Sequence, residues 1–107
     1  MDRKRLADAR RFADDKMVKS SIFATDRMFY DLYCLLPGQA QKVHSHAGSD
    51  KVYLVVSGRA RVTVGDEEGE LGPEEAALCP AGVAHGIANS AAEPLTVLVV
   101  TTPPPTK

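Results

Sequence analysis

The chain reads as an all-β domain, an antiparallel sandwich or barrel, and three observations predict it. Short runs of strand-forming residues recur along most of the sequence, each bounded by clusters of Gly, Pro, Asn or Asp. Residues 51–57, KVYLVVS, are apolar on both alternating faces, as in a strand covered on both sides. Residues 95–101, LTVLVVT, form a second such run that closes the domain. No solenoid period is present; the repeated unit is one short strand and its turn.

Residues 1–15 come first, with Arg3, Lys4, Arg5, Arg10 and Arg11 interleaved with Asp2, Asp8, Asp14 and Asp15. Leu6 and Phe12 are their large apolar side chains, too few for a helix to be stable alone. This predicts a mobile or surface-lying arm with at most a helical turn, its mixed charges a solvated face. A single β-barrel domain is expected over residues 16–102. It opens with a strand-like run at 16–24, followed by RMFYDLYCLL at 27–36. Asp31 is expected to face solvent, which places Tyr30, Leu32, Cys34 and Leu36 on the inner face and turns Tyr33 away.

Pro37-Gly38 supplies a turn, and Ala47-Gly48-Ser49 breaks the chain before the strand at 51–57. In that strand Lys51, Tyr53, Val55 and Ser57 share one face, and Val52, Leu54 and Val56 the other. Gly58-Arg59 turns into a strand at 60–64, and Gly65-Asp66-Glu67-Glu68-Gly69 is a hairpin signal. A turn at Gly72-Pro73-Glu74-Glu75 precedes a strand at 76–79, a bend at 80–82 and a strand at 85–88. The loop at 89–94 leads to the closing strand, and the tail at 103–107, PPPTK, cannot continue a ladder and is expected to be extended or disordered.

With 107 residues the chain is long enough for one modest core and not for two. A formal net charge of -1 and the absence of interleaved basic and aromatic residues argue against nucleic acid as a partner. No apolar run approaches membrane-spanning length, and the charged start lacks the apolar stretch of a secretion signal, so a cytoplasmic protein is expected. Cys34 and Cys79 make no disulfide framework and are expected as buried thiols.

The three histidines are His44, His46 and His85. His44 and His46 stand two apart, so on a strand both imidazoles point one way, as two ligands of a metal ion must. Their spacings extend into a longer pattern. Gly38, His44, His46 and Gly58 match Gly, five residues, His-x-His, four residues, Glu, six residues, Gly, with Lys51 in place of the glutamate. Pro80, Gly82, His85 and Asn89 match Pro-x-Gly-x-x-His-x-x-x-Asn. In these two motifs the chain resembles the cupins, over roughly residues 28–101. Glu74, where the second motif usually opens with glycine, is a further departure.

The resemblance implies an antiparallel jelly-roll barrel behind a short N-terminal arm. It also implies that His44, His46 and His85 project inward and bind a divalent metal beside a small-molecule pocket. Fe, Zn, Mn and Ni are not told apart by three imidazoles. The competing reading is three neutral, hydrogen-bonded histidines in a metal-free binding module. Small cupins commonly pair, so a homodimer is implied, with strand 16–24 a candidate for the partner's sheet.

Lys51 is the informative departure. An ammonium about 4 Å from a dication is repelled by roughly twice the ~4 kcal/mol of a unit pair at an effective dielectric of 20. Either Lys51 turns its amine away, or it sits neutral, or the site holds no metal. Asp50 is a competing ligand if a bulge brings it inward, but strict alternation points it outward. Tyr53 shares the face of Lys51 and joins the candidate pocket, with Cys34 and Tyr30 beside it. A lysine where an anion usually stands points to an acidic small molecule as ligand. Three histidines with vacant positions fit a metal-dependent oxygenase, or a related lyase or isomerase. The alternative is a non-catalytic small-molecule binding module, with or without metal, because one fold hosts many chemistries. No residue is assigned a catalytic role.

Overall fold

Among residues 1–105, which the computed structural model describes, the turn-punctuated runs become nine strands. These are β1 (Val18–Ala24), β2 (Phe29–Leu35), β3 (Ala40–His44), β4 (Asp50–Ser57), β5 (Ala60–Val64), β6 (Glu67–Leu71), β7 (Ala76–Cys79), β8 (His85–Ala88) and β9 (Leu95–Thr102). One sheet has the order β1-β2-β9-β4-β7 and the other β3-β8-β5-β6, with antiparallel pairing throughout. The result is the expected antiparallel jelly-roll barrel. Strands adjacent in space are mostly distant in sequence, which is how two short motifs come to face each other. No helix among the described residues is long and apolar enough to cross a membrane.

The core lies between the sheets. Tyr53 and Val55 of β4, Val97 and Val99 of β9, Val62 of β5 and Ile87 of β8 all belong to one buried cluster. The alternation read for β4 is what the barrel uses: Lys51, Tyr53 and Val55 are buried, while Val52, Leu54 and Val56 are half-buried on the outer face. Gly58 closes the turn into β5 at φ +90°, and a Cβ there would stand 2.5 Å from the Pro94 carbonyl oxygen. Only glycine allows the approach. At Glu74 a side chain does occupy the left-handed region, with φ 68°. That conformation costs an L-residue about 1–2 kcal/mol. Its amide donates to the Val55 carbonyl at 2.8 Å, which ties the turn to β4.

The arm lies on the outer face of the five-stranded sheet. Its one helical turn, α1 (Leu6–Ala9), helps place Leu6, Ala9 and Phe12 against Ile22, Leu32 and Cys34. This cover corrects the phase expected for β2. Tyr33 and Leu35, with Asp31 in phase, face the barrel interior, whereas Tyr30, Leu32 and Cys34 face the arm. Both faces of β2 are covered, so its sequence is apolar almost throughout and alternation has nothing to set it. The single charge, Asp31, is a false marker of solvent. It sits half-buried on the inner side, where Lys19 and Lys51 partly offset a burial that raises its pKa.

At the other end, the Pro103 carbonyl accepts a hydrogen bond from Ser49 Oγ at 2.7 Å, and Pro104 and Pro105 are half-buried. The last two residues of the tail, Thr106 and Lys107, lie outside the described residues.

Candidate metal centre

The histidines converge because β3 ends where β8 begins. His44 is the cross-strand partner of His85, and their ring centroids are 4.5 Å apart. His46 lies two residues beyond the end of β3, yet its ring is 4.9 Å from that of His44 and 6.0 Å from that of His85. Its carbonyl accepts from the Gly82 amide at 2.9 Å, and Gly82 has φ +79°. The glycine of one motif thus fixes the histidine of the other. One ring nitrogen from each of the three residues falls within a cluster no more than 4.8 Å across.

Which nitrogens point inward is set by the backbone. His44 Nδ1 lies 2.8 Å from the Lys42 carbonyl oxygen, and His85 Nδ1 lies 3.0 Å from that of Val83. A carbonyl only accepts, so in the neutral rings both Nδ1 atoms carry the hydrogen and both Nε2 atoms present lone pairs. His85 is 1% exposed, and its Nε2 is buried without a partner. Left so, a buried acceptor costs about 1–3 kcal/mol, which an incoming ligand would recover. The pKa of His85 is lowered by burial first, with Lys51, His44 and His46 adding to it against the opposing bond to Val83. That of His46 is lowered by burial and then by Lys51, His44 and Lys19. Both are therefore biased toward the neutral form that binds metal. The donor set fits a first-row divalent ion.

Lys51 does not turn away. It is 3% exposed, and its Nζ lies 3.5 Å from His44 Nε2, 5.9 Å from the Tyr53 ring centre and 6.0 Å from that of Tyr33. Burial, and then Lys19, bring its pKa down to about 8, while Cys79 and Asp31 act in the opposite sense. Tyr53 is fully buried with its ring 6.3 Å from that of His85, and its hydroxyl has no partner. Burial raises the phenol's pKa.

The remaining candidates lie elsewhere. Cys34 and Tyr30 belong to the outer cluster under the arm, and burial raises the Cys34 thiol. Asp50 is exposed and its Oδ1 accepts from the Ala81 amide at 2.8 Å, so it caps the bend before Gly82. Conversely, the structure adds Tyr33, Gln41, Asp31 and Lys19 to the inner face. Tyr33 is 3% exposed, and burial pushes its phenol up to about 12. Gln41 shares the face of His44 only because a register shift separates them, which a period of two conceals.

A cavity of about 840 Å³ opens between the arm and β1 and is lined by Arg3, Arg5, Arg11 and Lys19 among others. No histidine lines it. Convergent lone pairs and not volume select a metal, and the histidine cluster is the group that could hold one.

Comparison with known proteins agrees with this fold. The Cupin domain family, Cupin_2, matches residues 31–101, and the chain belongs to it. The crystal structure of TT1209 from Thermus thermophilus is similar at 52% sequence identity and a TM-score of 0.94, covering 96% of this chain and 98% of that one. An uncharacterized protein of Streptomyces coelicolor is 44% identical over 77 residues, 72% of this chain and 71% of its own. A sugar phosphate isomerase of the cupin superfamily from Silicibacter pomeroyi is 26% identical with a TM-score of 0.75, covering 82% of this chain and 60% of that one.

Proposed function

We propose that the chain is a metal-dependent cupin in which His44, His46 and His85 hold one divalent ion, of Fe, Zn, Mn or Ni type, beside a pocket for an acidic small molecule. The observation that carries this reading is the unpartnered Nε2 of His85, held inward by the Val83 carbonyl within a cluster of three imidazoles. Three protein ligands leave positions for substrate. The bound ion would supply Lewis-acid or oxygen chemistry there. Because Lys51 does not turn away, a bound dication would press its amine toward the neutral form, in which its N–H still donates to an acidic oxygen while the ion offsets the desolvation of that oxygen. Tyr53 closes the wall beside His85 and excludes water.

The reaction class that suits this arrangement is oxygenation of an acidic small molecule, or a related lyase or isomerase reaction. The similarity to a sugar phosphate isomerase supports the isomerase branch. A cytoplasmic homodimer completes the reading. Half-buried Val52, Leu54 and Leu98, with Leu78 60% exposed, give the outer sheet face an apolar surface suited to a second copy.

A non-catalytic sensor of such a ligand is the second reading. It is favoured by the scarcity of bases on the inner face, where burial drives Tyr33 up to about 12 and Cys79 up to about 11. Elemental analysis of protein purified without a nickel column separates the two. About one metal per chain that is lost in His85→Ala supports the metal centre, with stoichiometric iron favouring oxygenation. Metal-free protein with a retained fold supports the sensor.

A further inference from the structure

Two amines from strands that are not neighbours converge on one ring. Lys19 Nζ of β1 lies 5.3 Å from the centre of the Tyr33 ring, and Lys51 Nζ of β4 lies 6.0 Å from it. Among the described residues neither lysine is ion-paired. Asp31 is the carboxylate that both lysines act on, their charges partly offsetting the burial that raises its pKa. Two cations therefore face one anion at the edge of the barrel, and the half-buried setting strengthens the excess positive charge. Lys19 is exposed, and Lys51 is buried with its Nζ 3.5 Å from His44 Nε2, so the pair leads from the surface to the histidine cluster.

A second feature narrows the class of ligand that can take this path. Gln41 turns its amide N–H toward the Tyr33 oxygen, and its own Oε1 is buried without a donor. An amide oxygen only accepts, so the group that completes it must bring a hydrogen. A bare carboxylate or phosphate ester oxygen cannot. The Tyr53 hydroxyl, equally unpartnered, stands on the same inner wall.

We infer that the ligand is a small hydroxylated anion, with its charged head between Lys19 and Lys51 over Tyr33 and a hydroxyl donating to Gln41 Oε1. This rests on the reading of the barrel interior as a small-molecule site, and it names the ligand class. Hydroxy acids and sugar phosphates share that chemistry. Lys19 is then a specificity residue that no histidine motif would mark.

Calorimetric titration of the full chain, both metal-free and zinc-loaded, tests the inference with two matched pairs: lactate against propanoate, and glycerol 3-phosphate against propyl phosphate. Within at least one pair the hydroxylated anion is expected to bind about tenfold tighter, since a site with an unsatisfied acceptor discriminates against a ligand lacking the donor. The pair that discriminates identifies carboxylate or phosphate as the head. Lys19→Met, at an exposed position that leaves the fold intact, is expected to weaken that probe roughly fivefold in the metal-free titration. Gln41→Leu is expected to erase the preference within the pair. Equal binding within both pairs, or an unchanged affinity in Lys19→Met, overturns the inference. Because the metal-free titration does not involve the ion, a failure of zinc to bind is a separate result that counts against the metal centre alone.

Discussion

Lys51 shows how one side chain can carry both the stability and the chemistry of the site. The folded protein gives up the Lys51 proton near pH 8, whereas the ordinary value is 10.5. Between those values the unfolded chain binds more protons, so this residue makes stability rise with pH across the window. Below about pH 8 the folded state carries the full burden, on the order of 3 kcal/mol at 1.36 kcal/mol per unit. Metal-free Lys51→Met is therefore expected to be more stable than the parent at pH 7 in urea denaturation, by up to roughly that amount. The difference should shrink as the pH is raised toward 10.5, the ordinary lysine value. Tyr33 and Tyr53 titrate in the opposite sense but are present in both proteins, so they cancel. A stability gap constant from pH 7 to 10 would show that Lys51 is not the titrating group. At this scale much of the site was legible, because His44, His46, His85, Lys51 and Tyr53 are fixed by motif spacing and strand alternation. Tyr33 and Gln41 were not legible: one depends on the phase of a strand covered on both sides, the other on a register shift.

Among the elements, β2 teaches the most. Its sequence contains a single charge, and assigning that charge to solvent inverts every side chain on the strand. The missing information was the arm, whose Leu6, Ala9 and Phe12 make the outer face of β2 a second buried surface. Low apolar content in an isolated segment says whether it folds alone and nothing about whether a sheet will hold it. The arm's cover makes a specific prediction. Cys34 and Cys79 are both fully buried, so neither thiol should react with an aromatic disulfide reagent in the intact chain. Removal of residues 1–12 should expose Cys34 alone and destabilise the fold by about 2–4 kcal/mol, the worth of burying one or two large side chains. Equal labelling of the intact and shortened chains would mean that the arm does not lie where described.

For the whole molecule, the jelly roll was legible because glycine and proline punctuation survives any uncertainty about phase. The turn at Gly58 can be made only by glycine, and the motif spacings then tie distant segments together. What the sequence left open was which faces the chain itself covers. Half-buried Val52 and Leu54 and exposed Leu78 leave an apolar face beyond the reach of the arm, which covers the sheet only as far as Leu98, and the proposed dimer would bury that face. Light scattering is expected to give twice the 11.5 kDa chain mass, and Leu78→Glu to shift it toward a monomer by placing a charge in the contact. A monomeric parent would rule the dimer out.

The central claim is that backbone carbonyls aim the Nε2 lone pairs of His44 and His85 at one metal position shared with His46. It is tested most directly by anomalous scattering from crystals grown with zinc. A single strong peak is expected inside the barrel, about 2.0–2.1 Å from Nε2 of both His44 and His85 and within bonding distance of His46. A peak bound through Nδ1 of either residue, or no peak inside the barrel at all, would contradict it.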